Sequence, residues 1–214
     1  FVMLALWITV SWLLGVDVDG DYPQWTKVMK IYFMTLVALC LLRTKQQIVA
    51  FAWVTTGSLA LLGAKGGLFT ILTGGSYRVW GPPESFIADN NEFALSLIMA
   101  IPLMYFLLQQ LTKRWQKHIM AATMLLCVAA AAGSQSRGAL VAIVGMGSVF
   151  WWRSRNKLTV AVIICLLSVF ALPLMPETWW TRMSTIQNYE QDASAIGRLN
   201  GWYVAWEVAK NHFF

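Results

Sequence analysis

The sequence predicts an all-α integral membrane protein, a polytopic bundle of about seven transmembrane helices with one additional amphipathic helix on the outward-facing side. Of its 214 residues, 58% are hydrophobic and only 12% are charged, which is too little polarity to coat a water-soluble surface. The net charge of +6 comes from basic residues clustered between hydrophobic stretches. That arrangement is typical of membrane topology and does not indicate a nucleic-acid partner.

Seven apolar stretches have approximately the length of a transmembrane helix, which needs about 20 mostly apolar residues, or fewer where the bilayer thins. They are residues 1–16, 28–42, 48–64, 93–111, 119–135, 139–152 and 158–175. The apolar stretch from Gly66 to Gly75 is shorter and flanked by glycine, which favours a re-entrant or interfacial segment. Because the chain opens inside an apolar run and stops directly after an amphipathic segment, we expect it to continue beyond both ends.

The charges in the connecting segments predict which side each segment faces. Three short connections contain eight of the sixteen basic residues and no acid, and are therefore expected in the cytoplasm: Arg43, Lys45, Lys113, Arg114, Lys117, Arg153, Arg155 and Lys157. All ten carboxylates fall in the alternate segments, which should face outward. Both assignments agree with strict alternation of seven spans. Tryptophans near the span ends, Trp179 among them, are expected to anchor the helices at the headgroups.

The most informative segment is Gly-Ser-Gln-Ser-Arg-Gly at residues 133–138, a turn between two short apolar runs. Arg137 is expected at or below the outer interface, where a charge is costly unless it snorkels or finds a partner. A guanidinium suits phosphate because it stays charged and offers a planar fork of donors. Ser134 and Ser136 add hydroxyls, and Gly138 permits close backbone approach. Spacing alone leaves two interpretations open, an anion-binding arginine and an arginine that snorkels to lipid phosphate.

A second outward-facing segment begins at Arg78 and continues to Asp89-Asn-Asn-Glu92. Asp89 and Glu92 have the spacing of a helix capping box, so their simplest role is to start the next span. The alternative is that these polar groups at the membrane surface bind sugar hydroxyls or act as a base.

The third outward-facing segment follows Pro176. Asp192 or Ser194 can cap a helix over residues 195–210 that would lie on the membrane surface, with an apolar stripe made of Leu199, Trp202, Trp206 and Ala209. Arg198 on this helix either points into a cavity or meets lipid headgroups. His212 can accept a proton near neutral pH, although a lone histidine is more often structural.

Several kinds of chemistry have no support in the sequence. The chain has no P-loop, HExxH, CxxC or GxSxG sequence, which leaves ATP hydrolysis, zinc proteolysis and lipase-type catalysis without a motif. Cys40, Cys127 and Cys165 each lie in an apolar run and are spaced for neither disulfides nor a metal. We therefore predict no metal site and no cofactor. Because every carboxylate lies outside the predicted spans, a proton-coupled transporter is also disfavoured.

Ser136-Arg137-Gly138 opening a span, followed by Arg198 and Trp202 ahead of Asn211-His212-Phe213, resembles the O-antigen ligase and polymerase superfamily of bacterial inner membranes. This likeness covers residues 119–214, an O-antigen ligase-like region truncated at its C-terminal end. A narrower likeness, to the O-glycosylation ligases found with exosortase systems, spans nearly the whole chain, and residues 1–118 resemble the N-terminal transmembrane region of that type. Two strings carry that narrower likeness, Trp80-Gly-Pro-Pro-Glu-Ser-Phe-Ile-Ala-Asp-Asn-Asn-Glu-Phe-Ala-Leu and Trp180-Thr-Arg-Met-Ser-Thr-Ile.

The resemblance implies a metal- and nucleotide-independent glycosyltransferase of polysaccharide biosynthesis. Such an enzyme moves a glycan from a polyprenyl diphosphate carrier to a protein or lipid acceptor on the periplasmic side of the inner membrane. It implies that Arg137 binds the donor's diphosphate, with Arg198 as a second periplasmic arginine. Ser136, Asp89 and Glu92 are further substrate-binding candidates. The first candidate for the base is His212, and Glu92 or Asp89 is the second.

One residue departs from the family pattern, because the family's histidine is usually followed by proline and Phe213 follows His212 here. Two alternative functions also remain open. A repeat-unit polymerase of the same superfamily would use another lipid-linked glycan as its acceptor. A non-catalytic transporter of lipid-linked glycan, or a scaffold of the export machinery, would require polar groups along a path through the bilayer, whereas this chain concentrates them on one side.

Overall fold

The structure, a computed structural model, describes residues 1–15, 17–171, 175–184 and 193–211. All regular secondary structure in these ranges is α-helical. The helices are α1 (Val2–Leu13), α2 (Val18–Leu41), α3 (Lys45–Leu72), α4 (Asn90–Gln110), α5 (Arg114–Gly133), α6 (Arg137–Arg153), α7 (Lys157–Ala171), α8 (Glu177–Ser184) and α9 (Ala193–Asn211). The chain divides into two compact units, Phe1–Val54 and Thr55–Phe214.

Three helices of the described chain, α3, α4 and α5, are long and apolar enough to cross a bilayer. Helix α1 and the first part of α7 are shorter apolar helices. These properties indicate a multi-pass membrane protein. Each of the seven expected spans overlaps one of the helices α1 to α7, while the count of seven crossings stays a prediction.

Two boundaries differ from the sequence-based expectation. Helix α2 begins at Val18 and not at Val28, because the Asp17 carboxylate caps it by accepting a 2.9 Å hydrogen bond from the Gly20 N–H. The prediction of a separate re-entrant or interfacial segment at residues 66–75 is wrong, because α3 continues as one helix of 28 residues to Leu72. Gly66 and Gly67 lie inside the helix, and only Gly74 and Gly75, which have positive φ angles, follow its end.

The glycines of α3 permit a close approach to α5. Gly67 lies directly against the backbone of Leu126, so that a Cβ atom at this position would come within 2.8 Å of the Leu126 Cα. One turn earlier, Gly63 faces the side chain of Cys127. Small residues at this spacing let two membrane helices pack backbone to backbone.

Helix α4 supplies most of the core of the second unit and packs against α5 and α6. Its fully buried side chains include Phe93, Leu97, Met104 and Leu107. In the first unit, α1 packs on α2 through the rings of Trp12 and Trp25, whose centroids lie 4.4 Å apart. Offset aromatic stacking of this kind adds to the stabilisation from burial.

We expect Gly67→Ala to destabilise the protein by about 1–3 kcal/mol, because the Leu126 backbone cannot move aside as a flexible side chain could. Gly57→Ala is the matched control, since Gly57 lies on the same helix and nothing lies within 4 Å of its missing Cβ. Thermal unfolding of the detergent-purified protein measures both. A Gly67→Ala protein as stable as Gly57→Ala would contradict close α3–α5 packing.

Candidate functional site

The turn at residues 133–138, between α5 and α6, is fixed by the segment that follows α3. The buried side-chain amide of Gln135 donates a 3.1 Å hydrogen bond to the backbone carbonyl of Gly75. Its Oε1 accepts a 3.4 Å hydrogen bond from the Nε of Arg78. Gln135 has a φ of +54°, a left-handed conformation that is unusual for a residue other than glycine. One side chain therefore binds the turn to two points of the α3–α4 segment.

Two further hydrogen bonds hold the same turn. The backbone N–H of Val79 donates to the carbonyl of Gly133 at 3.1 Å. The side-chain amide of Asn90, the first residue of α4, donates to the carbonyl of Ser134 at 2.9 Å. Asn90 is only 3% exposed, so this bond forms away from water. The end of α3, the start of α4 and the α5–α6 turn thus meet at one end of the second unit.

Trp179 of α8 also contacts this end of the unit. Its indole Nε1 donates a 3.2 Å hydrogen bond to the carbonyl of Ala132, and the side chain is 3% exposed. The prediction that Trp179 anchors a span at the headgroups is therefore wrong. The buried ring ties α8 to the end of α5, where the Ala132 carbonyl also accepts a 3.1 Å hydrogen bond from the Gln135 N–H.

The two serine side chains of the turn form hydrogen bonds with neighbouring backbone groups. The fully buried Ser134 hydroxyl donates a 2.7 Å hydrogen bond to the carbonyl of Ala131, which leaves it inaccessible to a ligand. Ser136 is the N-cap of α6, and its Oγ accepts a 3.2 Å hydrogen bond from the Ala139 N–H. A substrate-binding role for Ser136 stays a prediction.

Arg137 is the first residue of α6 and is partly buried. The N-terminus of a helix carries the positive end of its dipole and directs backbone N–H groups outward. The first turn of α6 contains no acidic residue that would offset this charge. Guanidinium and helix terminus therefore produce positive potential at the same place, which favours binding of an anion such as phosphate.

Asp89 caps α4, as the sequence predicts. Its Oδ1 accepts hydrogen bonds from the backbone N–H of Asn91 at 2.8 Å and from the Asn91 side chain at 2.9 Å. Glu92 is exposed in the first turn of α4 and, within the described residues, does not return a bond to Asp89. The capping box is thus only half formed. Roles for Asp89 and Glu92 in binding sugar or accepting a proton stay predictions.

The C-terminal candidate residues are not connected to the 133–138 turn by any contact described in the structure. Asp192 and His212 lie outside the described residues. Arg198 is exposed on α9, and the contacts described for this helix do not connect it with the 133–138 turn. Its assignment, like that of His212, stays a prediction.

Helix α9 also differs from expectation. It begins at Ala193, so Ser194 lies inside the helix and not at its cap. Its apolar residues do not form a single stripe, because Val204 and Val208 lie on the opposite side from Trp202 and Trp206. The amphipathic character predicted from the three- and four-residue spacing is therefore wrong.

Sequence reasoning missed the residues that position the turn. Asn90 belongs to a string singled out for capping and sugar binding, but no local pattern shows that its amide reaches a carbonyl 44 residues away. Gln135 carries only a weak signal, a long polar side chain between two serines in a turn. Lys65 lies between the predicted span at residues 48–64 and the apolar stretch at 66–75, and the sequence assigns it no role. The structure places it inside α3, where a charge within a helix apolar enough to span the membrane is a candidate functional group.

Residues 122–214 match the family model described as O-antigen ligase. The matched region contains the 133–138 turn, Arg137 and Arg198. This match supports the O-antigen ligase and polymerase superfamily and, with it, a glycosyltransferase-like membrane enzyme of polysaccharide biosynthesis. No curated protein and no solved structure matches the chain. The domain boundary between residues 118 and 119 stays a prediction.

We expect Asn90→Ala to lower the stability of the protein by about 1–3 kcal/mol, because the buried Ser134 carbonyl loses its donor. Asn91→Ala is the matched control, since the neighbouring side chain is exposed and the Asp89 cap to the backbone N–H remains. Proteolysis or thermal unfolding in detergent compares the two. Equal stabilities would show that the Asn90 bond contributes little to holding the turn.

Proposed function

We propose that the protein is a membrane glycan ligase that transfers a glycan from a polyprenyl diphosphate carrier to a protein or lipid acceptor. We place this reaction on the periplasmic face of the bacterial inner membrane and assign the enzyme to the type found with exosortase systems. The observation that carries the proposal is the position of Arg137. It stands at the first residue of α6, after a turn held by hydrogen bonds from two other segments and within the region that matches the O-antigen ligase family.

The leaving group explains why this arrangement suits the reaction. As the bond between the anomeric carbon and the diphosphate oxygen breaks, negative charge grows on the diphosphate. A guanidinium already in place stabilises that charge without the cost of reorganising solvent. The bonds of Gln135 and Asn90 fix the turn before any donor binds. Arg198 is the proposed second cation, and Ser136 orients the first turn of α6 through its cap.

The acceptor hydroxyl must lose its proton as its oxygen bonds to the anomeric carbon. We assign this proton to His212, with a carboxylate as the second candidate. Of the two carboxylates, Glu92 is the better placed, because Asp89 already accepts two hydrogen bonds from Asn91. Both carboxylates are close in sequence to Asn90, whose side-chain amide donates to the Ser134 carbonyl. They therefore lie at the end of the second unit that holds the 133–138 turn.

We expect Arg137→Lys and Arg137→Ala each to lower glycan transfer at least a hundredfold, because lysine lacks the planar fork that contacts two phosphate oxygens. The matched control is Arg153→Lys at the opposite end of the same helix. The assay follows polyprenyl-diphosphate-linked glycan in a strain that lacks the chromosomal gene, at equal membrane levels of each protein. Near-normal transfer by Arg137→Lys would identify Arg137 as a lipid anchor.

The same strains distinguish the related activities. Loss of a ligase leaves full-length lipid-linked polymer unattached, whereas loss of a repeat-unit polymerase collapses the ladder of chain lengths. Loss of a transporter would keep the lipid-linked glycan on the cytoplasmic face, where periplasmic glycosidases cannot reach it. Only the first pattern agrees with the proposed function.

We expect chelation to leave the transfer rate of the purified enzyme unchanged, because the proposed reaction uses guanidinium groups in place of a divalent cation. The described residues contain no group of three His, Cys, Asp or Glu side chains placed to hold a metal ion. The measurement is the initial rate before and after EDTA. Activity lost with EDTA and restored by magnesium or manganese would contradict a metal-independent mechanism.

A further inference from the structure

A groove with a volume of about 440 Å³ lies beside the 133–138 turn, between α3 and the segment that follows it. Two of its lining residues are cations, Lys65 and Arg78, and none of the described lining residues is acidic. Most of the remaining wall is apolar, with the rings of Phe69, Trp80 and Phe93. A groove of this composition is suited to a ligand that has an anionic head and a hydrocarbon tail.

Lys65 occupies a costly position. It lies in α3, a helix long and apolar enough to span the membrane, seven residues before the helix ends at Leu72. At about 1.5 Å per residue, its Cα is ~10 Å below that end of the helix. An ammonium group there must extend along the helix towards the headgroups or meet an anion. In the part of the chain that the structure describes, Lys65 is exposed to the groove and has no acidic partner.

Arg78 faces the same groove from the other wall and is fixed by the turn. Its Nε donates to Gln135, whose amide also holds Gly75. Within the described part of the chain the terminal amino groups of the guanidinium form no hydrogen bond, so they can donate to a ligand. Through Gln135, Arg78 lies close to the turn that carries Arg137. Two residues of the groove wall, Arg78 and Val79, are therefore hydrogen-bonded to the turn that carries Arg137.

We propose that this groove holds the lipid end of the donor, with Lys65 and Arg78 binding oxygens of the isoprenoid diphosphate. The three rings contact its first isoprene units. The inference rests on the proposed function, because it takes the same donor and extends its binding site from the turn to α3. A diphosphate is favoured over the single phosphate of a common phospholipid, since two cations from separate segments match its larger charge.

The test measures binding of undecaprenyl diphosphate to the full-length protein in detergent, with phosphatidylglycerol as the competing lipid. We expect Lys65→Gln and Arg78→Gln each to weaken binding of the diphosphate about ten- to a hundredfold, the effect of losing one charged contact. Lys65→Arg should bind as the unchanged protein does. Lys45→Gln is the matched control, because Lys45 is exposed at the first residue of the same helix.

Lys65→Gln is the decisive variant, because it changes no hydrogen bond of the 133–138 turn. A loss of binding in this variant therefore cannot be attributed to misfolding of the turn. Diphosphate binding that is tight in the unchanged protein and equally tight in both groove variants would overturn the inference while leaving the proposed function intact. Equal displacement of the diphosphate by phosphatidylglycerol would also overturn it and identify a general lipid site. Absence of diphosphate binding in the unchanged protein would overturn both proposals together.

Discussion

The close approach of α3 and α5 is the constraint on which the candidate site depends. At Gly67 the two helices meet backbone to backbone, a separation that any larger residue would increase. Further along, Gly133 at the end of α5 packs on Thr70 near the end of α3. Both helices therefore end at the same level. Only then can Gly75 and Val79, just beyond α3, reach the turn just beyond α5.

The hydrogen bonds at that end of the second unit satisfy backbone carbonyl groups that would otherwise lack a donor in the membrane. A chain that reverses direction near hydrocarbon exposes carbonyl groups that water cannot reach, and each of them is costly without a donor. Here the carbonyls of Ala132, Gly133 and Ser134 accept bonds from three different segments. These bonds fix the backbone of the turn, and they thereby hold Arg137, three residues after Ser134, in a defined place.

The sequence predicts features that depend on local periodicity and charge, and misses those that depend on long-range contacts. Apolar runs locate the helices, and Asp89 caps α4 as its neighbours indicate. The glycines at residues 66–75 lead the sequence to predict an interrupted segment, because the sequence alone cannot show that α5 packs directly against Gly66 and Gly67. The sequence likewise predicts Trp179 at the headgroups, because it gives no sign of a carbonyl partner 47 residues away. In α9 the four spaced apolar residues do lie on one side of the helix. Val204 and Val208 lie on the opposite side, so the helix is not amphipathic.

The order of the turn's contacts along the chain bears on how the protein is assembled. Gly75, Val79 and Asn90 all precede residues 133–138, so their segments have left the ribosome before the turn is synthesised. Because chains are made from the N-terminus, the turn meets a surface that already exists in the membrane and can dock as it emerges. Trp179 follows later and adds the last bond to α5. The start of α6 is thus synthesised after the segments that hold the preceding turn, and α8 adds its bond to the end of α5 afterwards.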